Sequence, residues 1–539
     1  MTQEKRFAFL FFLDKPQEVR RLLMVFGALT CVFCALCVRL WQLQPPYHKK
    51  EHRIDRVLFT QKAAPPIFDR NGILLAGNLE TFSVYANARL VKDPDKTAHL
   101  LCACFKGLDY VTIQKRLMLD KGFVWIKRHI TPAQKKAFLK KGICGVYLQK
   151  DTKRIYPQKA LFSHILGLRD VDGKALSGLE KHVDSMAQKK RMEEAKPFVT
   201  SLDSQLQHVM RQELLKAISF YKAKAGNALL LHVPTREIRA MVSLPDFNPN
   251  APRGVSSAAF FNRNVVGVYE FGSVLKLHNV AMGLESKVAK LSSVFDATRP
   301  LKIGRFLIRD FRSKGRPLTL REAFLYSSNV VNAKLALNAG ATLQQDFFRR
   351  LGFFDRMHLE VPESSCPLMP TLWRQTTLAT ASYGYGVSIT PLHLAQSVAS
   401  LVSGYEKPMT LCKNKNANIS KPVVSKETAR VLCKLLRHST QIGQAKNAAL
   451  KGYDIGAKTG TSNLLYQGRY HHGQNLVSCV SIFPTKNPEY VLLVSLEHPK
   501  ARAETHGFTT AGWIAAPVTQ AFFKKMMPLI GALPQPSLM

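Results

Sequence analysis

The stretch Tyr269–His278 reads "YEFGSVLKLH" and holds a serine and a lysine three residues apart, Ser273 and Lys276, between a glycine and an apolar run. If a helix begins here, residues i and i+3 share a face, so the amine of Lys276 can reach the hydroxyl of Ser273. A neutral amine could take the serine proton, provided that neighbouring groups lower its pKa. The same spacing occurs at Ser219 and Lys222, so S-x-x-K alone does not identify a nucleophile.

Two later motifs supply the partners that such a lysine needs, namely polar contacts and a second cation. "LYSSNVVNAKLAL" places Ser327, Ser328 and Asn329 at a predicted turn, where a hydroxyl and an amide can point into one cleft. "GAKTGTS" ends a predicted strand and contributes a cation, two threonines that share one face, and a glycine that lets a ligand backbone approach: Lys458, Thr459, Thr461 and Gly460. Each motif is weak alone, and the order S-x-x-K, S-x-N, K-T-G is the specific signal.

The pattern around these motifs predicts a mixed α/β fold. "SLDSQLQHVMRQELLKAISFYKAK" has a capping residue and helical periodicity, and it would contain both Ser219 and Lys222. "NALLLHV" and "EIRAMVSL" follow as two strands joined at "PTR", helices dominate residues 274–440, and strands return in "YDIGAKTG", "NLVSCVSIF" and "YVLLVSLEH" before a final helix at about 511–526. Because short turns join the late strands, the sheet is predicted to be mainly antiparallel with helices around it.

The N-terminal part predicts a membrane anchor and a separate domain. "LLMVFGALTCVFCALCV" (Leu22–Val38) carries no charge, and no small-residue cleavage site follows it, which favours an uncleaved spanning helix. Basic residues flank both ends, so charge leaves the orientation open; a short tail inside and a large domain outside is the simpler topology. "IFDRNGILLAGN" predicts a hairpin at its Asn-Gly turn. We therefore divide the chain into a cytoplasmic tail (1–21), an anchor (22–44), an elongated α+β pedestal domain (45–200) and a catalytic domain (201–532).

Composition narrows the function classes. The net charge is +40, which suits an anionic partner, but the basic residues are scattered and no nucleic-acid-binding signature is found, so the prediction is no nucleic acid. The absence of H-E-x-x-H and G-x-S-x-G counts against a metallopeptidase and a standard α/β-hydrolase. Of the ten cysteines, three lie in the anchor and the other seven are dispersed, which is not a disulfide framework.

The ordered motifs resemble those of penicillin-binding proteins and serine β-lactamases. Beyond them, "IFDRNGILLA", "RIYP…HILGL…SGLEKHVD", "TSLDSQLQ" and "NRNVVGVYEFGSVLK" are similar to a class B penicillin-binding protein, and "SYGYGVSITPLHLA" is closer to its division-type members. The likeness covers roughly residues 20–530. Three positions depart from the family pattern: "AAPP" stands where Arg-Gly usually precedes Asp69, Phe271 stands in place of proline, and Ser462 stands where alanine is frequent.

The resemblance implies a transpeptidase domain with a β-lactamase-like sheet, and a role for each motif residue. Ser273 would attack the carbonyl between two terminal D-alanines of a stem peptide and expel the last one, with Lys276 as general base. Ser327 and Asn329 would orient Lys276 and relay the proton, and Asn329 would also bind the peptide. Lys458, Thr459, Gly460 and Thr461 would hold the substrate carboxylate, and the backbone N–H groups of Ser273 and Thr461 would form the oxyanion hole.

The resemblance also implies partners and location. An amine of a neighbouring stem peptide would accept the acyl group, β-lactams would acylate Ser273, and no metal or organic cofactor would be needed. A single-pass protein of the bacterial inner membrane is expected, with the catalytic domain in the periplasm and with a glycan polymerase and other division proteins as partners. A D,D-carboxypeptidase, a β-lactam sensor or β-lactamase, and a mainly scaffolding division protein stay open as alternatives.

Overall fold

The computed structural model describes residues 16–43, 64–189, 196–413, 420–466 and 469–536. These residues belong to two compact units, one that contains helix α1 (Pro16–Leu43) and one that contains everything from Ala64 onward. Within α1, Leu23–Leu40 has a mean hydropathy of 2.3 and none of its side chains is buried in protein. A predominantly apolar helix of eighteen residues is long enough to cross the hydrocarbon core of a bilayer, as the predicted anchor requires.

The N-terminal part of the second unit is an α+β domain. Its elements in chain order are β1 (Ile67–Phe68), β2 (Leu74–Ala86), a 3₁₀ turn (Ala88–Leu90), α2 (Pro94–Cys104), α3 (Tyr110–Leu117), β3 (Val124–Ile130), α4 (Pro132–Leu139), β4 (Val146–Ile155), a 3₁₀ turn (Lys159–Phe162), α5 (Ser163–Leu166), α6 (Gly178–Lys189) and β5 (Phe198–Val199). The long strand β2 pairs antiparallel with β1, β3 and β4, and β1 also pairs in parallel with β5. The hairpin predicted at the Asn-Gly turn is the β1–β2 pair, with Ile67 opposite Ala76.

Two charged side chains bind the start of this domain and its junction with the next one. The buried carboxylate of Asp69 accepts the N–H groups of Asn71 and Ile73 in the β1–β2 turn, and it also accepts the N–H and the hydroxyl of Ser204 at the start of the next domain. The guanidinium of Arg154 donates to the carbonyls of Ala64 and Pro65, in the "AAPP" segment that departs from the family pattern.

The C-terminal domain is built on a five-stranded sheet. Its elements are α7 (Ser204–Phe220), β6 (Ala225–His232), β7 (Ile238–Leu244), 3₁₀ turns (Ser257–Ala259 and Gly272–Leu275), α8 (Lys276–Glu285), β8 (Val294–Phe295), β9 (Leu301–Ile303), β10 (Phe306–Ile308), β11 (Leu318–Thr319), α9 (Leu320–Tyr326), α10 (Asn329–Ala339), α11 (Ala341–Arg350), α12 (Gln375–Ala381), α13 (Pro391–Ser403), β12 (Tyr405–Glu406), β13 (Lys421–Pro422), α14 (Lys426–Gln441), a 3₁₀ turn (Lys446–Ala448), β14 (Gly456–Tyr466), β15 (Arg469–Phe483), β16 (Tyr490–Glu497), a 3₁₀ turn (Ala503–Thr505) and α15 (Ala515–Leu529). The strand order is β14-β15-β16-β6-β7, and every neighbouring pair is antiparallel. The predicted antiparallel sheet with strands from both ends of the domain is confirmed.

Helices cover both faces of this sheet because its central strands are apolar on both sides. In β16, Val491 and Leu493 enter the core on one face, whereas Leu492 and Val494 enter the core on the other. Helices α13 and α14 pack on the first face, where α8 and α10 belong to the same core cluster, and α7 and α15 pack on the second face. Strand β14 stays at the edge of the sheet, with β15 on one side.

Helix α7 contains Ser219, the first residue of the second S-x-x-K. Asp203 caps the helix by accepting the N–H groups of Gln205 and Leu206. The helix ends at Phe220, so the expectation that Lys222 lies inside it is wrong: Lys222 follows the helix with a φ of 46°.

Candidate active site

Ser273 lies in a tight backbone turn that is enclosed by glycines. The 3₁₀ turn Gly272–Leu275 leads directly into α8, and Gly272 has a φ of +52°. A Cβ on Gly272 would lie 2.6 Å from the carbonyl oxygen of Thr461 in β14, and one on Gly384 would lie 2.1 Å from the carbonyl oxygen of Gly272. The turn is therefore held between the edge strand and the "SYGYG" loop at distances that side chains would prevent.

Lys276, the first residue of α8, is buried and contacts the S-x-N motif. Its Nζ donates to the carbonyl oxygen of Ser327 at 2.6 Å and to the Ser327 hydroxyl at 3.0 Å. Burial, and then the charge of Lys458, lower the pKa of Lys276 well below the usual lysine range, while Asp310 opposes this. A neutral amine has two N–H groups, so these two bonds leave its lone pair available. Ser273 is half-buried, and its hydroxyl forms no hydrogen bond within the described part of the chain, so it is free to meet that lone pair or a ligand.

The hydroxyl of Ser327 lies between two lysines. Ser327 ends α9 in the left-handed conformation, with φ 60° and ψ 47°, which turns both its carbonyl and its hydroxyl toward Lys276. Lys458 Nζ donates to the same hydroxyl at 3.2 Å and to the carbonyl of Thr459 at 2.9 Å. Burial lowers the pKa of Lys458 to about 7. The structure thus places the predicted polar partner and the predicted second cation beside Lys276.

Asn329 and Ser328 begin α10, where an aspartate absent from the sequence-based prediction holds them. The carboxylate of Asp310 accepts the Ser328 hydroxyl at 2.7 Å, the Asn329 N–H at 2.6 Å and the Val330 N–H at 3.0 Å. The side-chain amide of Asn329 donates to the carbonyl of Arg309 and does not contact Lys276. Asp310 lies 19 residues before Asn329 in a segment without a motif, so nothing in the sequence marks it.

Strand β14 presents a free backbone edge to the nucleophile turn. Within one strand residue, the N–H and C=O point to the same side. Because the carbonyl of Thr461 faces Gly272, the N–H of Thr461 also points toward the turn and away from β15. The hydroxyl of Thr461 accepts the N–H of Ala511, and Thr459 is buried on the same face of the strand. An extended peptide could add to this edge by main-chain hydrogen bonds.

Gly460 packs directly against the nucleophile turn. A Cβ here would lie 2.2 Å from the carbonyl oxygen of Phe271 and 2.7 Å from Cγ2 of Val274. The approach of a ligand backbone to Gly460 stays a prediction. The glycine is needed because the nucleophile turn itself packs against β14.

Two of the three departures from the family pattern meet next to this turn. Ser462 is buried, and its hydroxyl donates to the backbone carbonyl of Glu270. The Glu270 carboxylate accepts the Gly386 N–H at 2.7 Å and the Tyr470 hydroxyl at 3.0 Å, and burial raises its pKa. Phe271 is buried, with its ring at the edge of the Tyr269 ring. These contacts join the turn, the "SYGYG" loop and the β14–β15 hairpin, and the sequence-based prediction did not include Glu270 or Tyr470.

The arrangement has the parts that acyl transfer requires. A half-buried hydroxyl, a buried amine with a lowered pKa, a bridging hydroxyl and an unpaired strand edge all lie around one turn. Across the residues that the structure describes, no group of three or more His, Cys, Asp or Glu side chains could hold a metal ion.

Comparison with known proteins identifies the family. The family model for the penicillin-binding protein transpeptidase domain matches residues 226–520, and that for the penicillin-binding protein dimerisation domain matches residues 66–195. The probable peptidoglycan D,D-transpeptidase FtsI of Caulobacter vibrioides is 33% identical over 477 residues, which cover 86% of this chain and 81% of that protein. The probable peptidoglycan D,D-transpeptidase PenA of Neisseria gonorrhoeae is 31% identical, covering 96% of this chain and 94% of that protein.

A solved structure has the same fold. Penicillin binding protein 3 of Mycobacterium tuberculosis, crystallised with aztreonam, superposes with a TM-score of 0.69 over 88% of this chain and 98% of its own, at 21% identity. The transpeptidase-domain match spans more than half of the sequence and contains all three motifs that meet at Ser273. The chain therefore belongs to the class B penicillin-binding proteins, which join a dimerisation domain to a transpeptidase domain.

Proposed function

We propose that this chain is a peptidoglycan D,D-transpeptidase that cross-links stem peptides during septal wall synthesis, with Ser273 as its nucleophile. The observation that carries the proposal is the Ser327 hydroxyl bound at once by Lys276 and Lys458 beside the Ser273 turn. Two amines on one oxygen cannot both stay charged in a buried site, so one lysine is available as a base. The relatives named above are described as D,D-transpeptidases.

In the acylation step, Ser273 Oγ bonds to the carbonyl carbon of the penultimate D-alanine while its proton passes to Lys276 Nζ. The N–H groups of Ser273 and Thr461 stabilise the oxyanion, because the free edge of β14 runs beside the turn. The C–N bond to the last D-alanine then breaks. The leaving amine receives a proton through the Ser327 hydroxyl, which Lys276 resupplies.

Substrate binding uses the strand edge and its cation. Lys458 of β14 supplies positive charge beside the binding edge. Thr459 and Thr461 of the same strand hold the terminal carboxylate, while the stem peptide extends along the strand edge. Asn329 binds the peptide backbone. In the second step, an amine of another stem peptide attacks the acyl-enzyme carbonyl and gives its proton to Lys276. The C–O bond to Ser273 then breaks, and Lys276 returns the proton to the departing Ser273 Oγ. β-Lactams acylate the same serine.

Among the described residues, the one apolar helix long enough to span a membrane, together with the FtsI relatives, fits a single-pass membrane protein. We place its N-terminal tail in the cytoplasm, its catalytic domain in the periplasm, and domain boundaries near residues 44 and 200. The pedestal and anchor dock with a glycan polymerase and other division proteins.

Labelling with a fluorescent penicillin tests the proposal. Wild type and Ser219→Ala should be labelled, whereas Ser273→Ala should not, because the Ser219 position lies at the end of α7 without partners from the other motifs. Labelling of Ser273→Ala would refute the assignment of the nucleophile. Rapid release of the hydrolysed drug would favour a β-lactamase, and D-alanine release without cross-linking would favour a carboxypeptidase.

A further inference from the structure

A strongly basic surface lies beside the S-x-N motif. Residues 299–316 contain seven basic side chains and one acidic side chain. All seven cations are exposed, and among the described residues only Arg316 has a carboxylate within 4.0 Å, that of Glu322. Five of the other six lie together in the β9–β10 hairpin and the segment that follows it, and we call these five the basic rim: Lys302, Arg305, Arg309, Arg312 and Lys314. Like charges this close repel one another, so the surface gains stability from an anion.

The surface is rigidly attached rather than loose. Strands β9 and β10 form a hairpin in which Phe306 is opposite Ile303. Ile303 and Ile308 are buried in a small cluster with Ala333 of α10 and Ala379 of α12. The side chains left outside include Phe306, so the hairpin presents a preformed face that is both basic and apolar.

This surface adjoins the catalytic groups at both ends. The carbonyl of Arg309 accepts the side-chain amide of Asn329 at 2.9 Å. Lys314 Nζ lies 4.5 Å from the ring centre of Tyr326, the residue before Ser327. Arg312 lies 5.7 Å from the ring centre of Phe508, three residues before the Ala511 N–H that binds Thr461. The rim therefore runs along the entrance between the S-x-N turn and the β14 edge.

We propose that the basic rim is a subsite for the side carboxylates of the donor stem peptide, so that the enzyme prefers anionic stem peptides over amidated ones. This inference rests on the proposed function. In this proposal the stem peptide leaves the reacting dipeptide past this entrance, so its side carboxylates meet guanidinium and ammonium groups of the basic rim. Exposed Phe306 and Phe311 supply apolar contact area next to these charges. Continuity with the site favours a substrate over a membrane surface as the occupant.

The test uses the full-length chain in detergent and two synthetic pentapeptides that end in D-Ala-D-Ala. One carries two free side carboxylates before that dipeptide, and the other carries the same groups as amides. The rim variant is Lys302→Gln/Arg305→Gln/Arg312→Gln. The matched control, Lys426→Gln/Arg430→Gln/Lys434→Gln, makes the same charge change on an exposed face of α14, beside a cleft of about 760 Å³ that contains none of the site residues.

With glycine added as the amine acceptor, we expect wild type to transfer the anionic peptide and release D-alanine with a kcat/KM about tenfold higher than for the amide at low salt. Added salt should reduce this preference. The rim variant should lose most of it, and the control should keep it. A rim variant that retains the wild-type ratio overturns the proposal. If the triple variant does not fold, Arg305→Gln alone should reduce the ratio and its salt dependence in part, and an unchanged ratio there also overturns it.

Two further outcomes distinguish a wrong subsite from a wrong active site and from a membrane-binding surface. If wild type releases D-alanine from neither peptide and penicillin does not label Ser273, the proposed function fails rather than the rim. Hydrogen exchange of residues 299–316, measured for the chain in nanodiscs, distinguishes a substrate-binding surface from a membrane-binding surface. Protection that requires anionic lipid, with no protection by the anionic peptide, would assign the rim to the bilayer and overturn the substrate assignment.

Discussion

Replacing Lys458 by methionine tests how the base is kept neutral. The Nζ atoms of Lys276 and Lys458 lie 3.0 Å and 3.2 Å from the same Ser327 oxygen, so they are within about 6 Å of each other. At an effective dielectric constant of about 20, two unit charges at that distance repel by about 3 kcal/mol. This repulsion adds to burial in lowering the pKa of Lys276, so removal of Lys458 should raise that pKa.

The assay is the second-order rate constant of acylation by a chromogenic β-lactam, measured as a function of pH. In wild type, the rate should rise as the lysine pair loses its first proton and fall as Lys458, whose pKa is about 7, loses its charge. In Lys458→Met, the pKa of Lys276 rises. The rising limb should therefore move to higher pH, and the falling limb due to Lys458 should disappear. A rising limb that stays in place or moves to lower pH would refute the electrostatic coupling.

Stability provides a check that the variant is folded. Burial lowers the pKa of Lys458 from 10.5 to about 7, so between these values the unfolded chain binds a proton that the folded chain does not. Stability from this group therefore increases with pH through that window and is lowest below it. Lys458→Met should melt at a higher temperature than wild type at pH 7, with a gap that narrows toward pH 10. The matched control is Lys434→Met on the exposed face of α14. It should change neither the pH dependence of acylation nor the pH dependence of the melting temperature.

Three other substitutions test the contacts around the nucleophile turn and the charge beside Lys276. Ser462→Ala removes a buried hydrogen bond to the loop before the nucleophile and should cost about 1 kcal/mol of unfolding free energy, read from thermal or denaturant unfolding; an unchanged stability would contradict this. Gly460→Ala places a Cβ 2.2 Å from the carbonyl of Phe271, so acylation should slow by about a hundredfold, and a rate within tenfold of wild type would show that the turn can move at little cost. Asp310→Asn removes the charge that raises the pKa of Lys276, so the rising limb of the acylation profile should move to lower pH, opposite in sign to Lys458→Met.

The strands and helices that carry the site could be predicted from the local sequence pattern. The strands of the sheet are continuous apolar runs joined by short turns, and α7 has both periodicity and an aspartate cap, so each could be predicted without knowing its neighbours. The motifs S-x-x-K, S-x-N and K-T-G could be assigned to one site because each lies at the boundary of a predicted strand or helix.

Long-range contacts were not predictable in the same way. Asp310 acts only because the chain returns to the start of α10, and Gly460 is required only because the turn at Phe271 packs on β14. The sequence pattern shows neither the contact of Asp310 with α10 nor the packing of the turn on β14. The left-handed backbone of Ser327 is likewise set by the junction between α9 and α10, since serine has little preference for that conformation.

Phe271 and Ser462, which both depart from the family pattern, restrain the same loop before the nucleophile. A proline at position 271 would fix one backbone dihedral of the loop that enters the nucleophile turn. Phe271 lacks that covalent restraint, but its ring is buried, and Ser462 binds the carbonyl of the preceding residue, Glu270, from the facing strand. A tertiary hydrogen bond and a buried ring thus restrain the loop that a pyrrolidine ring would otherwise stiffen. Because both restraints depend on β14 remaining in place, the geometry of Ser273 in this chain is coupled more directly to the edge strand on which the substrate binds.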